Sequence, residues 1–248
     1  MNRNILPEAH TRKWLWLAVA LLALAPLAGL AQQAAGPQEK SVKPGINDRW
    51  RSADIKPLVE TLETESREIY HERAALARLV DPKPGMAVAD IGAGSGFMTL
   101  LFAKIVGASG RVYAVDINQK MLERVSQLAA QDGLKNIQTV LDNDTSTELA
   151  ANSVDLIFLC DTYHHFEYPK AVLASMHKAL RPGGQVVLVE FHLVQGKSPA
   201  WMFEHVRAGQ EVFTKEFVEA GFAFVTEHES PFFKENYILR FRKAEARR

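Results

Sequence analysis

Three glycines at alternate positions, Gly92, Gly94 and Gly96, stand in the stretch "AVADIGAGSGF". Asp90 lies just before the first of them, and Asp116 follows at the end of the next apolar run, "RVYAVDI". Glycine where a strand turns into a helix lets backbone approach a ligand and leaves N–H groups free to meet it. The spacing selects among nucleotides. A dinucleotide loop reads G-x-G-x-x-G, its last glycine packing helix on strand beside a pyrophosphate. Here the pattern is G-x-G-x-G, and a carboxylate at Asp90 aimed at the loop would repel a pyrophosphate. A carboxylate at the end of the second strand, Asp116, suits ribose hydroxyls. The ligand these residues describe is a nucleoside with ribose, without phosphate and with positive charge.

The elements that must hold these residues alternate in type. Short apolar runs ("MAVADIG", "RVYAVDI", "NIQTVLD", "SVDLIFLCD", "GQVVLVEFH") read as strands. Between them lie helical stretches: "FMTLLFAKIVG", "NQKMLERVSQLAAQDG" with Asn118 as N-cap, and "YPKAVLASMHKALRPGG" with a Pro-Gly-Gly stop. Such alternation means βαβ units and a parallel sheet covered on both faces, an α/β fold. Ahead of it, "LVETLETESREIYHERAALARLV" has helical spacing up to the turn "DPKPG". At the end, "EVFTKEFVEAGF" is a helix, and "FAFVTEHES" and "NYILRFRK" are strands with a short connection. That connection permits antiparallel pairing only. Ligands of such sheets sit beyond the C-terminal strand ends, where the glycine loop lies.

S-adenosylmethionine has the ribose, the ammonium and a sulfonium. The residues "VADIGAGSGF…VYAVDI…SVDLIFLCDTYHHF…LRPGGQVVLVEF" resemble class I S-adenosylmethionine-dependent methyltransferases, and within them the small-molecule, ubiquinone/menaquinone-type branch (methyltransferase type 11-like). The resemblance implies a Rossmann-like three-layer αβα sandwich with sheet order 3-2-1-4-5-7-6 and strand 7 antiparallel. It implies S-adenosyl-L-methionine as cofactor, with Asp90, Gly92, Gly94 and Gly96 along its methionine and sugar, Asp116 on the ribose and Ile117 against the adenine. The turn "LDNDTSTEL" would meet the adenine amine through Asp142, Asn143 or Asp144, with Asn143 and Asp144 favoured. Cys160 and Asp161 would face the methionine end, and Tyr70, spaced with Glu63, Arg67 and Arg73, would close over the cofactor.

Asp161, His164 and His165 are the candidate catalytic groups, one histidine orienting an acceptor or acting as base. The segment "KSPAWMFEHVRAGQ", with Trp201, Met202, Phe203 and His205, would wall the acceptor. A metal site would have to join His164, His165 and His192 with Asp161. Because the chain has no helical H-x-x-x-H pair and a single cysteine, no metal is expected.

Lys+Arg and Asp+Glu both number 29, so no basic excess argues for nucleic acid. The acceptor expected is a small molecule or lipid-like. Arg3, Arg12 and Lys13 precede the uncharged run Trp14 to Ala31, with small Gly29 and Ala31 before Gln32. This is the pattern of a secretory signal over residues 1–31, or of a membrane anchor if uncleaved, and it predicts a periplasmic or secreted domain. Residues 32–48 read as a flexible linker and 49–248 as the domain. The cofactor is made in the cytoplasm, so the alternative is an extracytoplasmic binding protein without turnover.

Overall fold

The computed structural model of the chain describes residues 39–245; the expected signal at 1–31 lies outside them. Among them no helix is long and apolar enough to cross a membrane. A 3-10 turn (Arg49–Arg51) precedes helices α1 (Lys56–Leu62), α2 (Glu68–His71) and α3 (Arg73–Val80). Then come β1 (Ala87–Ile91), α4 (Phe97–Val106), β2 (Arg111–Asp116), α5 (Gln119–Gln131) and β3 (Ile137–Leu141). The second half has β4 (Val154–Cys160), a 3-10 turn (Tyr163–His165), α6 (Pro169–Ala179), β5 (Leu180–Phe191), α7 (Ala200–His205), α8 (Gln210–Glu219), β6 (Phe222–Glu227) and β7 (Asn236–Lys243).

One sheet holds all seven strands in the order β3-β2-β1-β4-β5-β7-β6. β1 to β5 pair in parallel, and β7 runs antiparallel to both β5 and β6. This is the Rossmann-like order expected. Residues on β4 alternate between the two layers. Leu156 and Phe158 pack with Leu76, Met98 and Phe102 of α3 and α4, while Ile157 and Leu159 pack with Leu173, Met176 and Phe217 of α6 and α8. Phe102 and Phe158 meet edge to face, centroids 5.1 Å apart; each such buried ring stabilises the fold by about 1.5–3 kcal/mol. Asn118 caps α5 as expected, its side chain accepting from the N–H groups of Lys120 and Met121.

Three local expectations are corrected. The helical stretch before β1 is three short helices, broken at "ETES" and again at Glu72. Thr64 and Ser66 hydroxyls bond to each other at 3.2 Å, and short hydroxyl side chains compete with helical hydrogen bonds. "LRPGG" does not stop α6 but lies within β5. Pro182 has no N–H for the ladder, and the pairing jumps from Val154↔Leu180 to Leu156↔Gln185. Finally, from residue 39 the expected linker is packed onto the domain. Glu39 accepts from the first N–H groups of α6, Lys43 reaches the carbonyls of Glu204 and His205, and Asn47 is buried.

Candidate functional site

β1, β2, β3 and β4 end side by side, and their C-terminal ends form the floor of a cleft enclosing about 750 Å³, its open mouth included. Gly92, Gly94, Asp116, Ile117, Asn143, Asp144, Cys160, Asp161 and His165 all line it. The backbone explains the glycines. Gly92 and Gly94 have φ +72 and +52, and a Cβ would collide with Thr162 at Gly92 and lie 2.9 Å from Leu62 Cδ1 at Gly94. The loop is therefore bare because neighbouring side chains press on it as well as to admit a ligand.

Asp116 is oriented by two backbone donors. Gly94 N–H meets one oxygen and Asn118 N–H the other, both at 2.8 Å. Each oxygen keeps a second lone pair for a ligand hydroxyl. Asn118 also donates to the carbonyls of Trp50 (2.7 Å) and Ser52 (2.9 Å), which draws the Arg49–Arg51 turn over the cleft mouth.

At the adenine end the structure reverses the expected preference. Asn143 is spent on Glu148 and on Thr145, and Asp144 forms a half-exposed ion pair with Arg51 at 2.5 Å. Asp142 Oδ1 is buried with no partner among the described residues. Burial first, then the nearby Asp116 charge, push the Asp142 carboxyl up to about 8. A buried carboxylate oxygen that lines a cleft can accept a hydrogen bond from a ligand there.

At the other end Asp161, in a left-handed conformation (φ 49), accepts from Arg67 Nη2 at 2.5 Å and Asn236 Nδ2 at 2.6 Å. Burial pushes the Asp161 carboxyl up and Arg67 pulls it back. Burial holds the Cys160 thiol well above its ordinary value, so it is no nucleophile near neutral pH.

Four named candidates stand elsewhere. Asp90 is buried beneath the loop, accepts from Thr99 Oγ1 at 2.5 Å and is not among the residues that line the cleft. Gly96 is a packing position: a Cβ would sit 2.7 Å from Val125 Cγ2, at φ +89. Tyr70 lies outside the cleft, against Phe97 and under Arg73; Arg67, four residues from Glu63, lines the cleft in its place. His164 is behind the wall, its Nδ1 2.8 Å from Glu190 Oε2. The α7 segment does not line the cleft either; Trp201 is half exposed, and only His205 reaches a cleft residue, His165.

Sequence reasoning missed Asn47, Trp50, Leu62 and Asn236. Asn47 falls in the stretch read as linker, Trp50 at the very start of the expected domain and Leu62 in the stretch read as plain helix, and the drawn-in mouth brings them to the cleft.

Residues 89–188 match the family model described as "Methyltransferase domain". That span runs from β1 through most of β5 and so contains the glycine loop, Asp116, Asp142 and Asp161. Over that span the chain is similar to methyltransferase domains. The ubiquinone/menaquinone biosynthesis C-methyltransferase of Shewanella pealeana is 33% identical over 110 residues, 44% of each chain. The match thus spans less than half of that relative. Among solved structures, a SAM-dependent methyltransferase from Aquifex aeolicus has a TM-score of 0.67 at 24% identity, over 78% of this chain and 100% of the other. The [4+2]-cyclase SpnF has a TM-score of 0.60 at 15% identity, over 69% and 81%. The fold is therefore shared with a cyclase, and the reaction must be argued from the site. Trp50, Arg67, His205 and Asn236 all lie outside the matched span.

Proposed function

We propose that the chain is an S-adenosylmethionine-dependent methyltransferase acting on a small-molecule or lipid-like acceptor outside the cytoplasm. The observation that carries this is the unpartnered buried oxygen of Asp142 beside Asp116 in one cleft. Carboxyl groups at the ends of two neighbouring strands suit a purine nucleoside, Asp116 for the ribose hydroxyls and Asp142 for an exocyclic amine. Ile117 would bear on the base. At the far end Arg67 and Asp161 present opposite charges, which suits an amino-acid zwitterion. No built phosphate site is needed.

When bound, the cofactor supplies a methyl group on a positively charged sulfur, open to in-line displacement. The protein's own part is alignment and a dry wall. Trp50 and Phe166 supply apolar surface. His165 is neutral across the physiological range, because burial and then its histidine neighbours lower it to about 2. It is too weak a base to take a proton efficiently, so its ring forms part of the cleft wall rather than deprotonating an acceptor. The quinone methyltransferases among the relatives support an aromatic, lipid-like acceptor.

The address rests on the N-terminal pattern of Arg3, Arg12 and Lys13 ahead of an uncharged run. N-terminal sequencing of the chain from a periplasmic fraction should begin near Gln32; an intact Met1 in a soluble cytoplasmic fraction would overturn it. The activity is tested by calorimetry with S-adenosylmethionine and S-adenosylhomocysteine, followed by transfer of labelled methyl into lipid extracts. Absence of binding by either at millimolar concentration would sink the reading. Tight binding with no transfer to any extract would favour the non-catalytic binding protein.

A further inference from the structure

Behind the acceptor side of the cleft three imidazoles converge from two elements. His164 and His165 come from the turn after β4, and His205 from the end of α7. One ring nitrogen of each lies within 4.8 Å of the others. Nε2 of His165 and Nε2 of His205 are 3.2 Å apart. Two ligands on a tetrahedral ion at about 2.05 Å are themselves about 3.3 Å apart, so this pair already stands at ligand spacing.

His164 is held for the same task. Its Nδ1 faces the Glu190 carboxylate at 2.8 Å, and its backbone N–H meets the same group at 3.1 Å. That leaves Nε2, which is buried with no partner among the described residues, on a side chain 1% exposed. A carboxylate on one ring nitrogen with the other left free is how proteins prepare a histidine for a metal. A buried imidazole nitrogen without partner otherwise costs about 1–3 kcal/mol.

We propose that His164, His165 and His205 form a binding site for a divalent transition-metal ion of the zinc class, with Glu190 orienting His164. Imidazole donors select zinc, copper or nickel over magnesium or calcium. Three protein ligands leave a fourth position, the arrangement of zinc sites that take water or a substrate atom. His165 belongs to both the cluster and the cleft wall, which puts that position at the acceptor end. The charged groups around the cluster are Glu190, which favours a cation, and Lys43 and Arg49, which oppose it. The sequence could not show this, because the third histidine expected was His192. That ring packs against Tyr237 instead.

The site stands or falls independently of methyl transfer. The chain, produced without a histidine tag and stripped with a chelator, is titrated with Zn²⁺ against a chromogenic competitor and with Co²⁺ by visible absorption. One ion per chain, with tetrahedral Co²⁺ bands, is expected. Glu190→Gln should weaken zinc binding by about 10–100-fold, and His205→Ala by more. His192→Ala, outside the cluster, should leave it unchanged. His205 is only part-buried, so His205→Ala should keep the wild-type unfolding transition. Zinc bound by His205→Ala as tightly as by the parent, or an equal loss in His192→Ala, would overturn the proposal, as would a stripped parent chain that takes up no ion.

Discussion

The Arg67 guanidinium and the Asp161 carboxylate meet at 2.5 Å, joining the chain before β1 to the end of β4 at the edge of the cleft. Their side chains are 19% and 6% exposed. Removing one partner leaves the other charge buried, which costs about 3–5 kcal/mol. Because Asn236 also donates to Asp161, Arg67→Ala should lose about 3 kcal/mol in urea unfolding. Arg67→Met with Asp161→Asn should recover part of it. An Arg67→Ala chain as stable as the parent would show that the pair contributes nothing.

Asp142 and Asp144 should separate in ligand binding. Asp142→Ala should weaken S-adenosylhomocysteine at least tenfold in calorimetry, a loss of about 1.4 kcal/mol or more. Asp144→Ala, which breaks only the half-exposed pair with Arg51, should change it less than threefold. A larger effect at Asp144 would restore the preference read from the sequence.

A pH dependence follows from the same residue. Asp142 loses its proton at about 8 in the free protein. A donor such as an exocyclic amine binds the carboxylate, so below pH 8 binding must release a proton. Affinity should therefore rise from pH 6 to pH 8, at most tenfold per pH unit, and level off above. Calorimetry in buffers of differing ionisation enthalpy should register the released proton, and Asp142→Asn should abolish it.

Stability should carry the opposite sign at Asp90. Burial raises this carboxyl to about 7, against an ordinary value of 3.8. Between these values the folded chain holds more protons than the unfolded one. The contribution is fully present below pH 3.8 and is lost as pH rises through about 7. Asp90→Asn keeps the shape and removes the charge. It should stabilise the protein at pH 8 by up to about 4 kcal/mol and flatten the change between pH 4 and 7. Parallel stability profiles for variant and parent would refute the assignment.

Gly96→Ala tests packing rather than binding. Its φ of +89 and the Val125 methyl 2.7 Å from the added Cβ should together cost about 2–4 kcal/mol. Val125→Ala in the same chain should relieve part of the cost. Thermal unfolding measures both.

The sheet was legible from local pattern. Five apolar runs too short for buried helices, with helices between them, leave few topologies once crossovers are right-handed. The short link between the last two strands specified their antiparallel pairing. The glycine spacing and Asp116 likewise announced a phosphate-free nucleoside, because one loop and one strand end place them.

The remaining decisions needed chain brought together from far apart. Asp90 reads as a ligand contact in the sequence, and only the packing of α4 shows it turned to Thr99. Asn143 and Asp144 look as available as Asp142 until Glu148, Thr145 and Arg51 occupy them. Arg67 rather than Tyr70 enters the cleft because Asp161 pairs with it, while Tyr70 packs on Phe97. His205 joins His164 and His165 across forty residues, a meeting that no spacing encodes. Local periodicity and turn chemistry act within a few residues and so are written along the chain. Burial, unpaired atoms and charge pairing are properties of neighbours in space, and the tertiary fold alone selects those neighbours.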